Sequence, residues 1–198
     1  MFRLPPAIGL LAVTIAAPVH AADTYAFDPA HTDIVFFVNH LGYSDTIGRF
    51  NRAEGALTLD QDDLKGSRIE VTIDAASLDT NHQQRDDHLR SADFFNVEEF
   101  PEITFSSTRV EPTGEKTATV TGDLTLLGKS RPVTLDVTLN QIAPHPVPNY
   151  EGVETAGFSA RGTLKRSDFG MDFLAPAVGD EIELILEIEA LKQDEQPS

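Results

Sequence analysis

Cysteine is absent from the 198-residue chain, tryptophan is absent too, and there are only 3 tyrosines and 2 methionines. Without thiols the chain has neither disulfide staples nor thiolate metal sites, so its core alone must hold it together. Basic residues are also scarce, 15 Lys and Arg against 32 Asp and Glu, for a net charge of −17. A field of that sign repels phosphate backbones and anionic lipid surfaces, which argues against a nucleic-acid partner and against electrostatic membrane docking. Long apolar runs are missing except at the start, where Arg3 precedes a short stretch reaching Ala17 and Val19-His20-Ala21 follows. That is the layout of a cleaved secretory signal over residues 1–21, too short for a membrane anchor.

Cleavage after Ala21 would leave 177 residues with 14 basic and 32 acidic side chains, near −18, which is one domain's worth. Export without cysteine fits a bacterial periplasm better than a eukaryotic secreted scaffold. Domain organisation follows: a signal over 1–21, one domain over 22–192 and a frayed tail over 193–198.

What remains is mostly strand pattern. Thr24 to Phe27 is a short strand. In His31 to His40 the two-residue period puts Ile34, Phe36, Val38 and His40 on one face, while Val35 and Phe37 make the other face partly apolar. That second face must be covered or lie at a dimer contact. Gly48 to Leu59 reads as one strand carrying Phe50 and Leu57, with Gly55 at a bend or bulge. Ile69, Val71 and Ile73 alternate inward, as do Ile103 and Phe105, then Leu124 and Leu126, then Val133, Leu135, Val137 and Leu139. Pro144, Pro146 and Pro148 mark an extended loop. Phe158, Ala160, Gly162 and Leu164 share one face, and Glu181 to Glu189 alternates most cleanly, its acidic side toward water. About eight short strands without helical crossovers predict an all-β antiparallel sandwich or barrel.

The exception is Asp79 to Phe105, which holds one helix near residues 82–92. Asn81 can cap it with Gln84 reaching back, and Pro101 forces an extended exit. The helix and the Phe94-Phe95 loop are expected against the end of the barrel.

Motifs for chemistry mostly fail on context. Gly128-Lys129-Ser130 ends like a phosphate loop, but Asp123 stands where the first glycine belongs and a strand follows, so it reads as a hairpin turn. Gly157-Phe-Ser159-Ala-Arg161 lacks the closing glycine of a nucleophile elbow and lies in mid-strand. His82 and Asp86 share a helix face, a two-ligand seat without a third ligand nearby, while Asp86 and Asp87 can pair with Arg90. His31 and His40 stand at strand ends, where three dimensions alone decide what they meet. The 12 phenylalanines carry more information. An eight-stranded barrel is the size at which the interior is either filled or left open for one ligand. Phe94-Phe95 and Phe169-Gly-Met171 fall outside strands, where lining a pocket mouth gives apolar residues a purpose.

Taken in order, His31-Thr-x-Ile34-x-Phe36-x-Val38-x-His40, Arg85-Asp86-x-His88-Leu89-Arg90-Ser91-x-Asp93-Phe94-Phe95, Phe100-Pro101-x-Ile103-x-Phe105, Gly122-x-Leu124-Thr125-x-x-Gly128, Pro132-Val133 and Arg166-Ser167-Asp168-Phe169-Gly170-Met171 resemble the YceI-like family. The resemblance runs from about Tyr25 to Leu191, with Tyr25 and Thr32 as mild departures. It implies a lipocalin-like, eight-stranded antiparallel barrel enclosing an isoprenoid chain, such as a polyprenyl lipid or a quinone tail. It also implies export in many bacteria and frequent homodimers, and brings no established catalytic activity.

The apolar lining expected on this reading is Ile34, Phe36, Val38, Phe50, Leu57, Val71, Ile73, Phe94 and Phe95 from the first half. Ile103, Phe105, Leu124, Leu126, Leu135, Phe158, Phe169 and Met171 complete it. His40, Arg85, Asp86 and His88 are placed as a polar mouth for the head group. No catalytic or metal role is assigned, and no cofactor beyond the bound lipid. The competing readings are a lipid-modifying or hydrolytic enzyme built on His82, Asp86 and His88, and a stress-related domain whose barrel is filled.

Overall fold

The computed structural model describes residues 22–61 and 63–194. The expected signal at 1–21 and residues 195–198 of the expected tail lie outside them. Ten strand segments and one helix succeed one another: β1 (Asp23–His40), β2 (Ser44–Phe50), β3 (Ala53–Leu59), β4 (Arg68–Asp74), β5 (Leu78–Asp79), α1 (Gln83–Arg90), β6 (Glu102–Pro112), β7 (Thr117–Leu126), β8 (Lys129–Pro144), β9 (Glu154–Lys165) and β10 (Val178–Lys192). Every pairing is antiparallel, and β10 pairs back onto β1 to close the sheet.

The ten segments occupy eight positions in the wall. β2 and β3 lie end to end along β1, β2 against Ile34–His40 and β3 against Asp23–Ala26. β4 and β5 lie end to end in the same way, pairing with β3 and β2. The result is a closed eight-stranded antiparallel barrel, in which inward residues alternate with outward ones along each strand.

The expected single strand from Gly48 to Leu59 is therefore broken, because at Asn51 and Arg52 the backbone turns aside to bond Ser77. Asn51 N–H donates to Ser77 O at 3.2 Å and Arg52 N–H to Ser77 Oγ at 3.0 Å. Gly55 is not a bulge: it pairs regularly with Val71, and the ring of Phe27 occupies the place a Cβ would need. Conversely, the two strands expected before Leu41 are one. β1 runs through an irregularity at residues 28–31 that interrupts its pairing with β10.

The β7–β8 connection is the two-residue turn Leu127–Gly128, both at positive φ (52° and 68°), with Leu126 paired to Lys129. Positive φ at both central positions matches the right-handed twist of the flanking strands, which is why a glycine stands there. The helix also differs from expectation at its start. His82, not Asn81, is the cap, its Nδ1 accepting from Arg85 N–H at 3.2 Å, while Asn81 sits at φ 60°. A side chain in that left-handed position points away from the first turn, so the Asn81–Gln84 box does not form.

Three groups of buried apolar side chains line the barrel along its length. One, around Ile34, Phe36, Ile103 and Met171, lies under α1. A second, around Tyr25, Leu57 and Ala190, lies at the far end, and a third, around Phe105, Val110 and Val120, against the β6–β7 wall. Val71 packs against all three and marks the middle of the interior.

Candidate functional site

The inward side chains do not close up. They surround one cavity of about 270 Å³ whose lining runs from Leu89, Phe94, Phe95 and Met171 at the α1 end to Leu64 and the Glu115–Thr117 turn at the other. A cavity of this size sits at the lower edge of small-molecule pockets, roughly 300–1,000 Å³, but it is long and almost wholly apolar. The cause is local: β10 contributes Ile182, Leu184, Leu186 and Ile188 to the lining while Glu181, Glu183, Glu187 and Glu189 take the alternate positions.

Of the residues expected to line it, Ile34, Phe36, Val38, Phe50, Leu57, Val71, Ile73, Phe94, Phe95, Ile103, Phe105, Leu124, Leu126, Leu135, Phe158 and Met171 all do. Phe169 does not. Only 1% exposed, it packs in the core beneath the short helical turn Arg166–Phe169, so the turn carries its ring away from the lumen. The expected lining left out Val137 and Leu139, although their alternation had placed them inward, and it left out β10. The signal was the Ile-Glu alternation, read there only for its acidic side.

The expected polar mouth is not part of the cavity wall. Asp86 is buried and accepts from both the backbone N–H (2.8 Å) and the hydroxyl of Thr80, and Arg85 donates to the hydroxyl and the carbonyl of Thr80, each at 2.7 Å. These two side chains therefore tie α1 to Thr80, just past β5. His88 stands edge-on to Phe94 and Phe173, at 5.2 and 5.6 Å, and reaches Asp93 at 3.0 Å on the surface. His40 is exposed at the end of β1. His82 holds its own helix cap, which dissolves the seat with Asp86. Ser159 lies in mid-strand and donates to Glu187 at 2.5 Å.

Polar groups do meet the cavity elsewhere. Ser67, Glu115, Lys116 and Thr117 border it at the far end, and Arg166 at the α1 end. Arg166 is 3% exposed and donates to four carbonyls, those of Gly179 (2.8 Å), Met171 (2.8 Å), Phe173 (3.0 Å) and Val178 (2.9 Å). Burial pushes its guanidinium below the usual arginine range, with Asp180 and Asp172 opposing. Two of the bonds go to the loop between β9 and β10 and two to the start of β10, so Arg166 ties that loop to the strand that follows it.

A model of the YceI-like domain matches residues 25–190. A UPF0312 protein of Pectobacterium carotovorum subsp. carotovorum strain PC1 is 41% identical over 190 residues, covering 94% of this chain and 96% of that protein. Among solved structures, a YceI protein of Campylobacter jejuni superposes with a TM-score of 0.70 at 32% identity, covering 79% of this chain and 90% of that one. A polyisoprenoid binding domain from Saccharophagus degradans, implicated in plant cell wall breakdown, superposes with a TM-score of 0.65 at 13% identity, covering 88% and 100%. At that identity the last likeness shows the fold alone.

Proposed function

Because this chain belongs to the YceI-like family, we propose that it is an exported carrier that sequesters a long isoprenoid or similar amphipathic lipid inside its barrel. The single observation that carries the reading is the cavity, continuous from Met171 to Lys116 and lined almost without polar atoms. A prenyl tail placed there leaves water at a gain of roughly 25 cal/mol per Å² of apolar surface buried. A narrow tube favours an extended chain over a bulky ring system. The name of the Saccharophagus degradans domain supports the same ligand class.

The head group is placed at the far end, where the polar side chains Ser67, Glu115, Lys116 and Thr117 border the cavity, whereas at the α1 end the donors of Arg166 are taken up by four carbonyls. Periplasmic residence rests on the Arg3 to Ala21 pattern and the missing cysteines. A homodimer rests on the outward patch of Val35, Phe37, Ile47 and Ile185, in which Phe37 pairs with Ile47 and Val35 with Ile185 across neighbouring strands, Ile47 being 53% exposed. The enzyme reading is less favoured, since His82 accepts from Arg85 N–H, Asp86 from Thr80 and His88 reaches Asp93, and none of the three lines the lumen.

Native mass spectrometry of protein extracted gently from its own host tests the proposal. One apolar molecule per chain, released by organic solvent and of prenyl composition, is the expected result. Reproducibly ligand-free protein would overturn it.

A further inference from the structure

On the outer face of the barrel, the β1–β10 seam carries an arrangement that the cavity does not use. β1 pairs with β10 up to Phe27–Ala190 and again from Thr32–Ile188, so residues 28–31 of β1 stand opposite the single residue Glu189. The excess chain folds back on that residue. Asp28 is 5% exposed; its Oδ1 accepts from Ala30 N–H at 3.0 Å, and its carbonyl accepts from the Thr32 hydroxyl at 2.7 Å. Its other oxygen, Oδ2, is left facing His31 Nδ1 at 2.7 Å, and Glu189 Oε2 approaches the same nitrogen at 3.9 Å. We propose that Asp28, His31 and Glu189 form a binding site for a divalent transition-metal ion of the zinc class.

Three donor atoms, one from each residue, lie within 4.8 Å of one another. A tetrahedral zinc site with bonds of roughly 2.0–2.1 Å sets its donors about 3.3 Å apart, between the short and long distances seen here. In the structure the 2.7 Å contact is a hydrogen bond between His31 Nδ1 and Asp28 Oδ2; loss of the shared proton and a small shift would let both atoms, with Glu189 Oε2 from the opposite strand, turn to one ion. One imidazole with two carboxylates suits zinc or its neighbours, whereas calcium and magnesium prefer oxygen alone.

The surroundings are built to orient the donors. His145 Nδ1 accepts from Val147 N–H at 3.2 Å, so its proton is on Nε2, 3.9 Å from Glu189 Oε2. It steers Glu189 rather than taking a place on the ion. Tyr150 bonds Asp28 through its hydroxyl, and its ring meets His31 edge-on at 6.4 Å and His145 at a tilt at 4.7 Å. His31 keeps half its side chain in solvent, giving an ion access and a water the fourth position. The residues come from three distant stretches, 28–31, 145–150 and 189, which is why no local spacing announces the site.

Calorimetric titration of chelator-treated, desalted full chain with ZnCl₂, and separately with CaCl₂ and MgCl₂, tests the assignment. One Zn²⁺ per chain is expected, with a rise in melting temperature, far weaker binding of Ca²⁺ and Mg²⁺, and the intense visible absorption of tetrahedral Co²⁺ when cobalt is used. His31→Ala at an exposed position and Glu189→Gln at a half-buried one should each weaken Zn²⁺ binding at least about tenfold, with His40→Ala without effect. No saturable Zn²⁺ binding, binding indifferent to His31→Ala, or equal affinity for Ca²⁺ would each overturn it.

Discussion

The ring of Phe36 lies across the α-carbon of Gly48 on the neighbouring strand, filling the space a Cβ would take. Phe27 covers Gly55 and Phe105 covers Gly122 in the same fashion. In each pair the missing side chain lets an inward phenylalanine lie flat against the wall instead of standing up in the lumen, so the tube stays open although phenylalanines surround it.

Gly48→Ala should therefore drive the Phe36 ring off the wall. Overpacking of this kind costs about 1–3 kcal/mol, read as a lower urea midpoint, and the displaced ring should also reduce the amount of co-purified apolar ligand.

Filling the lumen directly gives the cleaner test of the cavity. Val71 touches all three core groups at mid-barrel, so Val71→Phe should block the tube while keeping the chain folded. Binding of a fluorescent polyprenyl probe is expected to fall at least about tenfold, a loss of about 1.4 kcal/mol. Unchanged probe affinity would mean that the ligand does not pass the middle of the barrel.

Asp86→Ala separates a structural from a chemical role for α1. Thr80 would lose the acceptor for both its N–H and its hydroxyl, a cost of about 1–3 kcal/mol in unfolding free energy, with probe affinity unchanged in the folded fraction. A selective loss of binding or turnover at full stability would return the helix to the functional site.

Arg166→Met keeps the bulk and removes the donors. Four carbonyls lose their partner at once, each worth about 1–3 kcal/mol when buried, so destabilisation above about 3 kcal/mol is expected. Hydrogen exchange should show residues 166–179 opening first. Arg166→Lys should fail as well, since a single ammonium cannot span the four carbonyls.

Acid should weaken the fold through Asp74 and Asp180. The Arg52 guanidinium, 2.5 Å away, is the main cause holding the Asp74 carboxyl below its ordinary value, and the Ser167 N–H at 2.9 Å does the same for Asp180. A carboxylate with a depressed folded-state pKa contributes stability that is full above the unfolded value, about 3.9, and is lost as pH falls through the lower folded one. Chemical denaturation from pH 5 downward should show stability dropping below about pH 4, with a shallower fall for Asp180→Asn.

Alternation determined an antiparallel all-β fold and nearly all of the inward lining, because a strand with one buried face must put Ile34, Phe36, Leu135 or Phe158 on that face whatever its neighbours are; the family resemblance chose the barrel over a sandwich. Alternation also determined the outward acidic side of β10, and the lack of crossover helices determined antiparallel pairing. Where a side chain left the strand lattice, only the tertiary structure could decide its place. Phe169 turned into the core, Asp86 and Arg85 closed on Thr80, and Asp28, His31 and Glu189 met across a seam joining the two ends of the described chain. Sequence periodicity fixes which way a side chain faces; what it meets there depends on strands brought together from far apart, and for those polar groups the meeting is the chemistry.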